Sequence, residues 1–115
     1  MLAHINRSAV VITPTQSFFN MIAKLSGEKP DKAVPPLTED ESTIYLIREA
    51  DLDDLDLTER MADCYKEIFY EELEGWFTDT SKWPRDVTWK EFTEWFHISY
   101  QSMVVDTVGE EIEYD

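Results

Sequence analysis

Cysteine and histidine, the residues that most often supply a nucleophile and its base, are scarce in this chain. Cys64 is the single cysteine, and His4 and His97 are the two histidines. Cys64 with His97 is therefore the only pair that could form an activated thiol. Cys64 follows Met61 by three residues and precedes Tyr65, on the apolar stripe of a predicted helix, where cysteine packs as a small hydrophobe. The sequence favours packing over catalysis at Cys64.

Glu94 and His97 have the i, i+3 spacing that places two metal ligands on one helical face. A di-iron site of that kind needs a second Glu-x-x-His pair, and His4 lacks this context. The alternative interpretation is that His97 ends a helix and is stabilised there by the helix dipole. The chain also has no glycine-rich phosphate loop, nucleophile elbow or H-E-x-x-H sequence. No catalytic residue, cofactor or metal ligand is predicted.

The densest chemical pattern is a run of aromatic residues among carboxylates between Trp76 and Tyr100. Rings bordered by carboxylates suit a cation, either the ammonium of a ligand or a Lys or Arg side chain on a partner. The alternative is structural, with large side chains filling the space between two short helices. Trp83 and then Trp89 are the rings expected to be most exposed. The candidate interaction surface comprises Trp76, Asp79, Trp83, Asp86, Trp89, Glu91 and Glu94.

The net charge of the chain limits the classes of partner that it is expected to bind. The net charge is −15, with +2 on residues 1–34 and −17 on the remainder. Such a field repels nucleic acid and anionic membranes and speeds encounters with a basic protein, although it also serves solubility. The preferred hypothesis is a non-enzymatic module that docks a basic partner. The alternative is a small-molecule binder or enzyme using an aromatic pocket near Trp83, Glu94 and His97.

The elements that must position these residues follow from hydrophobic periodicity. Ser8–Thr13 and Thr43–Ile47 are rich in β-branched and apolar residues, which is typical of strands, and the second is expected to be buried. Thr15–Ser26 has apolar residues at helical spacing and stops before Gly27, a natural C-cap. These segments predict a strand, a helix and a second strand.

The second half of the chain predicts two helices and a third strand. A main helix has Thr58 as N-cap and carries apolar residues at helical spacing as far as Trp76, with Gly75 near its end. Thr88 and Glu91 form a capping box that starts the next helix at Trp89, with Val87 and Phe92 as a hydrophobic staple. That helix gives way near His97 to Ile98–Thr107, where Met103, Val104 and Val105 suggest the third strand.

The predicted fold class is α+β, with a three-stranded sheet, three helices packed mainly on one face and the order β-α-β-α-α-β. Right-handed crossovers between the strands are expected, and free sheet edges make a homodimer reasonable. One domain spans 1–115, with a long proline-containing loop at 27–41 and a frayed acidic tail at 109–115. No secretory signal or membrane span is apparent, so a cytoplasmic location is expected.

Several segments resemble those of a family of short acidic bacterial proteins of unknown function. They are Ser8 to Gln16, Thr43 to Ile47, Glu71 to Asp79, Trp83-Pro84 and Met103 to Thr107. The most specific part is the G-W-F-T-D…W-P sequence that starts at Gly75. The resemblance implies a bacterial cytoplasmic origin and carries no activity, ligand or catalytic residue.

Overall fold

Five strands and four helices make up the described part of the chain. The computed structural model describes residues 2–27, 42–49 and 57–115, so the predicted 27–41 loop lies outside it beyond Gly27. The strands are β1 (Ala3–His4), β2 (Arg7–Pro14), β3 (Thr43–Arg48), β4 (Phe96–Gln101) and β5 (Val105–Asp106). The helices are α1 (Gln16–Ser26), α2 (Leu57–Met61), α3 (Tyr65–Glu74) and α4 (Trp89–Trp95), with a 3-10 turn at Thr80–Lys82. The α+β class is confirmed, but the described residues contain one helix and one two-stranded sheet more than predicted.

β2 is the central strand of a three-stranded sheet, between β3 and β4. Both pairings are antiparallel, with Val10 opposite Tyr45 on one side and Tyr100 on the other. β3 and β4 therefore run parallel to each other on either side of β2, and the chain between them, which includes α2, α3 and α4, crosses from one edge of the sheet to the other. The right hand of this crossover stays a prediction. The connection from β2 to β3 joins antiparallel neighbours, so the crossover predicted there is wrong. β1 and β5 form a separate short ladder beside the Arg7 end.

The core lies between one face of the sheet and the helices. Val10 and Ile12 share a face of β2 and are fully buried. Side chains from all four helices join them in one cluster, among them Phe18, Met61, Phe69 and Phe92. Ile44 and Leu46 point to the opposite face and are 65% and 50% exposed. The prediction that Thr43–Ile47, now β3, is buried is therefore wrong, because no described helix covers the face that carries Ile44 and Leu46.

Three helix boundaries are set by local hydrogen bonds. Thr15 caps α1, and Gly27 ends it with a left-handed φ of 80°, which costs glycine no steric strain. The Thr88–Glu91 capping box is confirmed: the threonine hydroxyl accepts from the Glu91 N–H, and the Glu91 carboxylate accepts from the Thr88 N–H. The apolar pair Val87 and Phe92 is buried beneath the cap. Each start and stop is therefore encoded within a few residues.

The predicted main helix is interrupted at residues 62–64. The chain there forms a tight turn, in which the Ala62 N–H donates to the Glu59 carbonyl and the Cys64 N–H to the Met61 carbonyl. Thr58 lies inside α2, so its assignment as N-cap is wrong. Carboxylates four residues apart across this turn repel one another in a continuous helix, and aspartate is a weak helix former, which favours the break.

The predicted third strand starts earlier than expected and is split. α4 ends at Trp95 and β4 begins at once with Phe96, so the helical assignments of Phe96 and His97 are wrong. Phe96 pairs with Pro14, and the Thr15 N–H and hydroxyl both donate to the Trp95 carbonyl. These tertiary bonds, rather than local propensity, fix the switch from helix to strand.

Candidate functional site

The predicted aromatic surface is built largely from rings that pack on other rings. Trp83 is half-buried and stacks on Tyr70 with centroids 5.6 Å apart, and its indole N–H donates to the Phe77 carbonyl. Trp89 is also half-buried and stacks on Phe92 at 5.7 Å. Both rings thus serve the helical layer. The most exposed tryptophan is instead Trp76, 39% exposed and edge-on to Phe19 at 4.8 Å.

The acidic members of that surface have separate local roles. Asp79 starts the 3-10 turn by accepting from the Ser81 hydroxyl and N–H, and the hydroxyl bond is the main reason that the pKa of Asp79 lies below its usual value. Asp86 is fully exposed at a φ of 51° and lies 4.0 Å from the Lys66 ammonium. Glu91 belongs to the capping box, and Glu94 is exposed on α4. As an interaction surface, this set stays a prediction.

The structure does not bring the sequence-derived catalytic pairs together. Cys64 lies on the helix side of the sheet, packed against the core. His97 is exposed and pairs with Thr13, whose position on β2 belongs to the opposite face. Glu94 and His97 lie in different elements, so their helical spacing has no structural counterpart. The described residues also hold no group of three His, Cys, Asp or Glu side chains placed to bind a metal.

A groove that sequence reasoning missed runs between β3 and the α2–α3 segment. It consists of two adjoining hollows of about 350 Å³ each, which share Leu46, Ile47 and Cys64. In the described chain, β3 pairs only with β2, so the groove borders an open sheet edge. We call this feature the edge groove. The residues that line only one of its hollows are Tyr45, Arg48, Glu49, Glu59, Arg60, Asp63, Glu67, Ile68 and Glu71.

The helical wall of the edge groove is acidic. Glu59, Asp63, Glu67 and Glu71 recur every four residues, line the groove and are exposed. The spacing was visible in the sequence, but nothing in the sequence placed it beside an open strand. Like charges at i, i+4 destabilise a helix by about 0.2–0.5 kcal/mol per pair. The free protein therefore carries a strip of mutually repelling carboxylates along this wall.

A buried carboxylate joins β3 to α3 beneath the groove. Glu72 is buried, and its Oε2 accepts from the Tyr45 hydroxyl at 3.2 Å and from the Thr43 hydroxyl at 3.3 Å. Burial raises the pKa of Glu72 above its usual value, although these two hydrogen bonds oppose the shift. Burial and the nearby Glu72 charge also hold the pKa of the Tyr45 phenol well above its usual value, so the phenol remains a donor.

Arg60 holds the other end of the groove. Its Nη2 donates to the Arg48 carbonyl at 3.3 Å and to the Ser8 hydroxyl at 3.4 Å. The guanidinium carbon lies 4.4 Å from the centroid of the Tyr100 ring, within the range of a cation–π contact. One side chain from α2 therefore contacts all three strands of the sheet. Arg60 and Glu72 fix the two ends of β3 against the helices.

Cys64 contributes an apolar, unreactive surface to the groove. Burial raises the pKa of the Cys64 thiol, and the carboxylates of Asp63 and Glu67 raise it further. The thiolate is the nucleophilic form of cysteine, and it is disfavoured here. The groove therefore offers backbone groups, carboxylates, the Arg48 and Arg60 guanidinium groups and an apolar floor, all of which can contribute to a binding site.

Comparisons with known proteins give no assignment. No family model matches the chain, and searches of curated proteins and of solved structures find no significant match. None of the helices described is both long enough and apolar enough to cross a bilayer.

Proposed function

We propose that this protein is a non-enzymatic interaction module that binds an extended, basic segment of a partner protein in the edge groove. The observation that carries this proposal is the position of the acidic helical wall directly beside the open edge of β3. A bound segment would add a strand to the sheet, a recurring mode of peptide recognition. The negative charge of the chain would then draw a basic partner toward the site.

The β3 backbone supplies the donors and acceptors for strand addition. In an antiparallel pair, alternate residues turn their N–H and C=O groups away from the neighbour, so those of β3 face the groove side of the edge. Natural edge strands are usually protected by lysine, proline or bulges. Residues 44–47 of β3 are Ile-Tyr-Leu-Ile, with none of these features. This edge is therefore equipped to pair.

The side chains define what the added strand should look like. Successive residues of a strand point to opposite faces of the sheet. Half of them would face the carboxylates of Glu67 and Glu71, and the other half would lie beside Ile44 and Leu46 on the opposite face. A segment in which lysine or arginine alternates with aliphatic residues fits both environments. Its cations would also relieve the repulsion within the acidic wall.

A synthetic peptide tests this proposal. We expect a fluorescein-labelled peptide of alternating lysine and valine to bind in an anisotropy titration and to weaken as salt rises. Glu67→Gln with Glu71→Gln should lower the affinity about fivefold, because an exposed ion pair contributes roughly 0.5 kcal/mol. A peptide of alternating glutamate and valine should not bind. A lysine–valine peptide with N-methylated valines, which lack donors for a sheet, should bind more weakly.

The matched control removes the same charge from the surface predicted from sequence. Asp86→Asn with Glu94→Gln leaves the edge groove intact and alters two exposed carboxylates near the aromatic rings. We expect this variant to bind the lysine–valine peptide as the wild type does. An equal loss of affinity in both double variants would show a diffuse charge effect and would contradict binding in the groove.

A further inference from the structure

The face of the sheet that points away from the helices differs in charge from the rest of the molecule. We call it the outer sheet face; it consists of alternate residues from Arg7 to Thr13, Ile44 to Arg48 and His97 to Gln101. It contains no carboxylate, in a chain with 25 of them. A molecule with a net charge of −15 repels a copy of itself over most of its surface. The outer sheet face is free of that repulsion.

Two features of this face are open to a partner, although the Arg7 Nη1 donates to the adjacent Asn6 carbonyl. Ile44 and Leu46 are 65% and 50% exposed, side by side on β3. Arg7 and Arg48 are directly opposed across the β2–β3 pair, and neither forms an ion pair with a described residue. Like charges in that position destabilise a sheet. A ligand that places apolar side chains on Ile44 and Leu46 and has carboxylates within reach of the long arginine side chains is complementary to both features.

The chain itself carries a segment with that chemistry. Residues 111–115 read Glu-Ile-Glu-Tyr-Asp, in strict alternation of acidic and apolar residues. Ile112 and Tyr114 are 52% and 89% exposed, and the segment forms neither helix nor strand. In an extended chain these two side chains lie roughly 6.6 Å apart on one side. Ile44 and Leu46 have the same spacing on β3.

We propose that two copies of this chain associate by exchanging their C-terminal segments, Gly109–Asp115 of each lying across the outer sheet face of the other. Ile112 and Tyr114 cover Ile44 and Leu46. The side chains of Arg7 and Arg48 extend from the outer sheet face beside the added segment and form ion pairs with its carboxylates. In the single molecule both halves of this match are open to water, and association buries them together. The contact lies on the opposite side of the sheet from Glu67 and Glu71, although Leu46 and Arg48 also border the edge groove.

Reciprocal charge reversal in the full-length chain tests this exchange. One variant carries Arg7→Glu and Arg48→Glu, and the other carries Glu111→Lys and Glu113→Lys. In sedimentation equilibrium at physiological salt, wild type should form a dimer, and each variant alone should associate about tenfold more weakly or worse. An equimolar mixture should restore the dimer, because each altered face then meets an altered segment of opposite charge.

Folding and site controls accompany these measurements. All four positions are exposed, so thermal unfolding should show that both variants remain folded. Glu67→Gln with Glu71→Gln should leave the dimer unchanged, which separates this contact from peptide binding in the edge groove. A wild-type monomer at millimolar concentration, or a mixture that stays monomeric, would overturn the exchange.

Discussion

Single buried polar groups determine how β3 is held against the helices. Glu72 brings a carboxylate into the core, where charge is costly, and two hydroxyl donors only partly offset that cost. Its second oxygen has no hydrogen-bond partner among the described residues. Glu72 therefore anchors the groove and also makes its stability depend on pH.

The pH dependence has a definite sign. Because burial raises the pKa of Glu72, the folded state binds a proton more tightly than the unfolded state. This contribution to stability is fully present below the ordinary glutamate pKa of about 4.3 and is lost as pH rises through the raised value. We expect Glu72→Gln to remove it. Urea titrations at several pH values should show a flatter profile in the variant, and an unchanged difference between the two proteins at every pH would contradict this.

Arg60 holds the Arg48 end of β3 against the helices, as Glu72 holds the Thr43 end. Arg60→Ala removes two hydrogen bonds and the contact with the Tyr100 ring, and leaves the Ser8 hydroxyl with one donor fewer. We expect a loss of about 1–3 kcal/mol in the free energy of unfolding. The exposed Arg85 offers a control, and Arg85→Ala should stay within about 0.5 kcal/mol of wild type. Equal effects would contradict the anchoring role.

At the scale of elements, boundaries encoded by adjacent residues were predictable and boundaries set by distant contacts were not. The capping box at Thr88 and the glycine stop at Gly27 involve neighbours in sequence, so their residue types reveal them. The break after Met61 has local causes, but repelling carboxylates and one aspartate are too weak a signal to reveal it. The switch to strand at Phe96 depends on bonds from a distant segment, such as that from Thr15 to Trp95. The sequence carries no local mark of those partners.

The N-cap of α4 tests how much a helix boundary depends on residues adjacent in the sequence. Thr88→Ala removes the hydroxyl that accepts from the Glu91 N–H and should cost about 1 kcal/mol of unfolding free energy. Thr93→Ala on the same helix changes an exposed threonine and should have little effect. Chemical denaturation of both variants compares them. A cost for Thr93→Ala equal to that for Thr88→Ala would show that the cap is not the cause.

Removing charge from the acidic wall should raise the stability of the protein and lower its affinity for the peptide. Neutralising Glu67 and Glu71 removes like-charge repulsion along α3, so this double variant should be more stable than wild type by a few tenths of a kcal/mol. The same change should weaken binding of the lysine–valine peptide. A variant that loses both stability and binding would indicate a structural role for these carboxylates.

At the scale of the whole molecule, the sheet separates two surfaces of different character. Acidic residues line the helical side of the β3 edge, and the outer sheet face has none. The sequence showed the excess of acid and the alternating strands. It could not show which strand forms the edge, because pairing order arises from contacts between segments far apart in the chain. The edge groove was therefore not predictable from the sequence, and the tryptophans that the sequence favoured have rings that pack largely on other rings.

Amide hydrogen exchange in β3, with and without the lysine–valine peptide, tests the central claim most directly. In the free protein, alternate amides of residues 43–48 should exchange rapidly, because they point away from β2. Added peptide should slow those amides and leave the exchange of α4 unchanged. If the peptide binds while the outward amides of β3 exchange as fast as before, the ligand does not add a strand at this edge, and the assignment of the edge groove as the binding site is wrong.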